Sequence, residues 1–192
     1  MEVMSKQLKQ LGDDIWKSQV EKIDSELFTL TYGSIVAQLC KDLDNNYDQV
    51  NNELFKMGYN IGVRLIDEFL QKTQLSRCTN MHETAEVVSK IGFKIFLNIT
   101  PTVSHWAADN KSFGLVLVEN PLADFVELPN AEARKKLWYS NVLCGVLKGC
   151  LEMVQLDCDV SFLQDSLRGD ENTEIRVKLI KVLKDEIPAG EE

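Results

Sequence analysis

The chain predicts an α+β fold in a single domain, several apolar helices packed with a small antiparallel β-sheet. Three observations carry that reading. Apolar residues recur at helical spacing through most of the first hundred positions and again from about Ser140 to Leu156. Three alternating runs rich in β-formers, Phe113 to Val118, Cys158 to Phe162 and Ile175 to Leu179, come late in the chain. No strand, glycine loop and helix of the phosphate-binding kind occurs. Helices first and hairpin strands later is the order of an α+β domain. At 192 residues, 44% of them hydrophobic, one core can be buried without help.

Residues 1–23 read as an N-terminal extension, partly helical, ahead of one domain spanning 24–192. Met4, Leu8, Leu11 and Ile15 recur at helical spacing with Trp16 alongside, but Gly12-Asp13-Asp14 interrupts them and predicts a weak or broken helix. Asp24 or Ser25 can cap the next helix, which runs to about Leu43 on Leu27, Leu30, Val36, Leu39 and Leu43. Asn45-Asn46 ends it. A longer helix from about Asp48 to Lys72 is expected to bury Leu54, Ile61, Leu65, Ile66 and Phe69.

Gly58 and Gly62 share one face of that helix, and Gly145 and Gly149 repeat the device in the helix from Ser140. Each costs about 1 kcal/mol relative to alanine in a helix interior. Close approach of another helix offsets that cost, either inside the chain or between subunits. Thr84 to Ile99 is apolar on nearly every side and must be enclosed. Arg168-Gly169-Asp170 supplies a turn between the last two strands, and His105-Trp106 reads as a turn entering a strand.

A net charge of −9 argues against nucleic acid as the main partner, because nothing builds a basic groove. No apolar run is long enough to span a bilayer and the N-terminus has no signal-peptide core, so the expected compartment is the cytosol or the cytosolic face of an organelle. Five cysteines, Cys40, Cys78, Cys144, Cys150 and Cys158, without a C-x-x-C pair, suit a reducing compartment and no zinc site. The sequons Asn98-Ile99-Thr100 and Asn110-Lys111-Ser112 are then coincidental.

Cys78 is the residue with most chemistry around it. It lies in the polar break Gln74-Leu75-Ser76-Arg77-Cys78-Thr79-Asn80, between two apolar helical stretches. A loop thiol beside Arg77 is expected to be accessible and to lean toward thiolate. Next to an enclosed apolar helix, it marks the mouth of a hydrophobic interior fit for a fatty acyl chain. The plain alternative is an inert loop cysteine. His82, four residues on, invites a thiol–imidazole nucleophile for acyl transfer; the plain alternative is a polar residue at a helix start. No metal site and no nucleotide site of this chain alone is indicated.

Four stretches together identify a family. Ser25-Glu26-Leu27-Phe28-Thr29-Leu30-Thr31-Tyr32-Gly33, Met57-Gly58-Tyr59-Asn60-Ile61-Gly62-Val63-Arg64-Leu65-Ile66, Asn120-Pro121-Leu122-Ala123-Asp124-Phe125-Val126-Glu127-Leu128-Pro129 and Tyr139-Ser140-Asn141-Val142-Leu143-Cys144-Gly145-Val146-Leu147 resemble the Bet-three subunit of the TRAPP (transport protein particle) vesicle-tethering complex, fungal type. The resemblance runs from about residue 13 to the C-terminus. It implies a core subunit in endoplasmic reticulum to Golgi transport, cytoplasmic and peripheral at those membranes. It also implies pairing through helices with itself or other small TRAPP subunits.

The same resemblance implies no enzyme activity of the subunit's own, but a share in guanine-nucleotide exchange by the assembled complex on a Rab-type GTPase. Arg77-Cys78 matches the family's acylation motif, which implies covalently bound palmitate at Cys78 inside a hydrophobic tunnel. Gly92 falls where the family keeps a small residue facing that tunnel; tight helix packing at Gly92 is the alternative. The tail Ile187, Pro188, Ala189, Gly190, Glu191 and Glu192 matches the end that reaches toward the GTPase nucleotide pocket. A soluble fatty-acyl-binding protein and a Cys78–His82 acyl transferase are the competing functions.

Overall fold

A computed structural model of the chain describes residues 2–183; the tail from Ile187 to Glu192 lies outside the described residues. Helices α1 (Glu2–Ser18), α2 (Ser25–Asp42) and α3 (Tyr47–Thr73) come first. A fourth helical stretch runs from Met81 to Leu97 as α4 (Met81–Val87), a π turn (Val88–Gly92) and α5 (Phe93–Leu97). Strands β1 (Thr102–Ser104) and β2 (Ser112–Leu117) follow, then α6 (Ala131–Lys136) and α7 (Val142–Met153), and finally β3 (Leu156–Gln164) and β4 (Thr173–Val182). The strands form one antiparallel sheet in the order β1-β2-β4-β3. The α+β architecture is therefore the one the sequence predicts.

The core lies between α2, α3 and α7 and the inner face of the sheet. Val50, Leu54, Phe113, Leu115, Cys144, Ile175 and Val177 are all fully buried there. Asp24 caps α2 by accepting the Leu27 N–H at 2.9 Å. Helices α3 and α7 pack backbone to backbone. A methyl on Gly58 or Gly62 would overlap the carbonyl of Val142 or Val146, and one on Gly145 or Gly149 would meet the carbonyl of Phe55 or Tyr59. All four glycines thus serve one internal seam, which resolves the choice between internal packing and a subunit contact.

Several expectations are corrected. Gly12-Asp13-Asp14 does not break α1, because Gly12 is the point where α1 touches the π turn; a methyl there would overlap the Lys90 carbonyl. Leu27 and Leu30 are 64% and 57% exposed, and α2 buries Thr29, Tyr32 and Val36 instead. Ile61 is likewise exposed on α3. Helical spacing reveals a stripe, but not which stripe its own chain covers. The apolar stretch begins at Met81, three residues before Thr84, since Asn80 rather than a later residue caps it. The short elements β1 and α6 carry too few residues for periodicity to show. Residues His105-Trp106 leave β1 as irregular chain, His105 at φ 51°, and the turn toward β2 comes after them at Ala107–Asn110, where the Asn110 N–H donates to the Ala107 carbonyl at 3.0 Å.

Candidate functional site

Helix α3 stops when Gln74 takes a left-handed conformation, φ 52°, and the chain then crosses as an irregular segment to Asn80. There the Asn80 carboxamide oxygen accepts the Glu83 N–H at 3.0 Å, while the Glu83 carboxylate accepts the Thr79 N–H at 2.6 Å and the Thr79 hydroxyl at 2.8 Å. These reciprocal bonds are the local form of a capping box. They pin the residue just before them, Cys78, between two helix ends.

Behind that segment lies a cavity of about 1140 Å³, above the ~300–1,000 Å³ usual for ligand sites. Leu65 and Phe69 of α3, Val88 and Phe96 of the Met81–Leu97 stretch, and Leu147 of α7 line it. Cys78, Arg77 and Gly92 line it too. Arg77 is exposed and Cys78 half-buried, so the thiol stands at the rim. At Gly92 the nearest atom a methyl would meet is the Val87 carbonyl oxygen, 4.0 Å away. That glycine faces open space, not a tight helix contact.

The thiol is not activated as its neighbour suggested. Burial, and then the Glu83 carboxylate beside it, push the Cys78 thiol above its ordinary range, with a hydrogen bond from Thr84 pulling weakly the other way. Nor does Cys78 share a helical turn with His82, since α4 begins only at Met81. His82 is stacked on Trp106, ring centroids 3.8 Å apart, and its Nε2 is 3.2 Å from the Asn110 carboxamide oxygen. His105 is engaged with the buried Glu174 at 2.7 Å. The site is a place to enclose an apolar chain beside a thiol, and it assembles no catalytic dyad from these residues.

Glu83 is the functional neighbour that the sequence reading missed. Its signal was present, because Asn80 followed three residues later by Glu83 is a helix-start pattern that places a carboxylate next to Cys78.

The family model for a transport protein particle (TRAPP) component matches residues 28–178. This chain belongs to the TRAPP component family. Within the family it is similar to subunit BET3 of the trafficking protein particle complex of Saccharomyces cerevisiae, 63% identical over 188 residues, covering 98% of this chain and 97% of that one. It is 60% identical to the transport protein particle subunit bet3 of Schizosaccharomyces pombe over 95% of this chain and 97% of that one. The expected likeness to the fungal Bet-three type is thus found in the fungal relatives. Among solved structures, subunit 3 of the trafficking protein particle complex from Naegleria fowleri is 45% identical with a TM-score of 0.81. The match covers 86% of this chain and all of that one, and that protein was crystallised covalently bound to palmitic acid. Among the described residues of this TRAPP-family chain, no helix is long and apolar enough to cross a membrane and no cluster of side chains could hold a metal ion.

Proposed function

We propose that the chain is a core subunit of a vesicle-tethering complex acting between endoplasmic reticulum and Golgi, peripheral at those membranes, with palmitate in thioester linkage at Cys78. The observation that carries the acyl part is the large apolar cavity with a thiol at its rim. The palmitate of the Naegleria relative supports it. Loading is a thioester exchange. Cys78 sulfur attacks the acyl carbon of an acyl thioester donor, a new S–C bond forms as the donor's breaks, and the thiol proton ends on the departing thiol.

Covering the chain is worth about 0.8 kcal/mol per methylene, on the order of 10 kcal/mol for palmitate. The acyl group then acts as core and is withheld from the membrane. The exposed Leu27 and Leu30 of α2, which stand outside the cavity lining, support pairing through the helices with itself or with other small subunits of the complex. A share in nucleotide exchange on a Rab-type GTPase rests on the family and on the acidic tail, whose carboxylates suit competition with phosphate for magnesium and backbone donors.

Intact mass before and after hydroxylamine tests the acyl reading. One acyl mass is expected, lost on treatment and absent in Cys78→Ser, whose melting temperature should fall by several degrees. An unmodified mass removes the acyl part and leaves the tethering role on the relatives alone. Deleting Ile187 to Glu192 is expected to slow exchange by the assembled complex without disturbing assembly; an unchanged rate takes the tail out of the mechanism. A freely exchanging fatty-acyl carrier is the second reading that the cavity favours, and ligand lost on solvent extraction without hydroxylamine would select it.

A further inference from the structure

Helix α1 bears on the cavity without touching it. Ile15 packs with Ile91 and Ile95 in a small core of its own, separate from the main one, and Phe69, Leu75 and Phe96 lean on that core. Those same three side chains line the cavity. The wall between the two is therefore one layer thick. Its middle is the π turn, closed by the Phe93 N–H donating to the Val88 carbonyl five residues back.

A π turn inserts one extra residue into the helix, which rotates the faces on either side of it. Here that rotation leaves Val88 and Gly92 on the cavity and Ile91 on α1. Such a turn is held by its surroundings more than by its own hydrogen bonds, and α1 supplies them. Buried Gly12 lies against the Lys90 carbonyl and the Ile91 Cα. The Lys90 ammonium donates to the Ser5 hydroxyl and pairs with Glu86, and Lys94 pairs with Asp13 at 3.2 Å.

We propose that α1 is the positioning element of the acyl cavity: by seating Gly12 on the Lys90 carbonyl it holds the π turn where the bore stays open, and so sets the length of acyl chain that Cys78 carries. This rests on the acyl reading above and assigns a role to the N-terminal extension. Gly12→Ala places a methyl against a backbone carbonyl that cannot rotate away, so the π turn is driven toward the cavity. Each methylene that the bore no longer covers weakens the preference for that chain length in the thioester exchange about fourfold.

The test offers the full-length chain an equimolar mixture of lauroyl-, palmitoyl- and stearoyl-coenzyme A and reads the acyl profile on Cys78 by intact mass. Hydrogen exchange over residues 88–97 is read alongside. The expected result is a shift of Gly12→Ala toward shorter chains, with faster exchange in the π turn. Leu54→Ala, which weakens the main core away from α1, should leave the profile unchanged. An unchanged profile in Gly12→Ala with normal acylation overturns this inference while the acyl reading stands. A wild-type chain that takes no acyl group overturns the acyl reading, and exchange over 88–97 then decides the bracing alone, unchanged protection refuting it. Should Gly12→Ala fail to fold, Ile15→Val carries the same readouts, with a broader profile expected because the turn is held less firmly.

Discussion

Glycine does opposite work in two regions of this molecule. Along the α3–α7 seam, Gly58, Gly62, Gly145 and Gly149 let two backbones touch, and each has a partner's main chain where its side chain would be. In the wall of the cavity, nothing beyond Gly92's own chain neighbours and helical backbone comes closer than the Val87 carbonyl oxygen, 4.0 Å from where a methyl would sit. The seam uses glycine to remove space, and the wall uses it to leave space. A packed protein interior tolerates few voids, so an unfilled apolar bore beside a closed seam signals that the bore is meant for something other than the chain's own side chains.

The sharpest way to break that comparison is to add one carbon in each region. Gly145→Ala pushes a methyl against the Phe55 carbonyl, with the Tyr59 nitrogen at 2.7 Å and the Gly58 Cα at 2.9 Å. None of these atoms can swing aside, so the helices must part. A loss of about 3 kcal/mol or more is expected, read as a fall in melting temperature of ~6–12 °C. An unchanged melting temperature would mean that the seam is looser than its geometry.

Gly92 should behave in the reverse way. Gly92→Ala removes a helix-interior glycine and touches nothing, so stability changes by no more than about 1 kcal/mol, in the favourable direction. Gly92→Leu fills the bore instead. It should retain the fold while abolishing acyl loading at Cys78 in the intact-mass measurement. If Gly92→Leu still carries a full acyl group, the chain does not lie past Gly92 and the route of the cavity has been misread.

The two regions also differ in how much of each was legible in the chain. The seam was half readable: paired glycines four residues apart on two apolar helices announce close approach, but only the fold shows that they face one another. The Asp24 cap and strands β2, β3 and β4 were readable because cap residues and period-two alternation act locally. Outward Leu27 and Leu30 were not, because an apolar stripe looks the same whether the chain covers it or leaves it bare. Gly12 misled for a related reason. Its low helix propensity is a local cost of about 1 kcal/mol, overruled by a tertiary contact with Lys90 far along the chain. At the rim of the cavity, Arg77 spoke for a thiolate, while the burial that wins is a property of the whole fold.

That last conflict can be measured by comparing two thiols that line the cavity, Cys78 at its rim and Cys150 where it meets the seam. Cys150 donates to the Gly62 carbonyl at 3.3 Å beside the seam, and burial pushes it up to about 12. Cys78 is raised as well, by burial and then by Glu83. Only the thiolate alkylates, so raising a thiol lowers its thiolate fraction at a given pH and slows it. On chain stripped of acyl by hydroxylamine, iodoacetamide should modify Cys78 more slowly at neutral pH than a free cysteine. The rate should climb as pH rises through the alkaline range, with Cys150 reacting later than Cys78. Glu83→Gln removes the second cause and should move the Cys78 curve to lower pH, leaving that of Cys150 in place. Faster-than-free alkylation of Cys78 at neutral pH would show that the Arg77 charge prevails after all. The rim would then be a reactive site, and loading would be driven by the thiolate itself, with no need for the cavity to hold the chain.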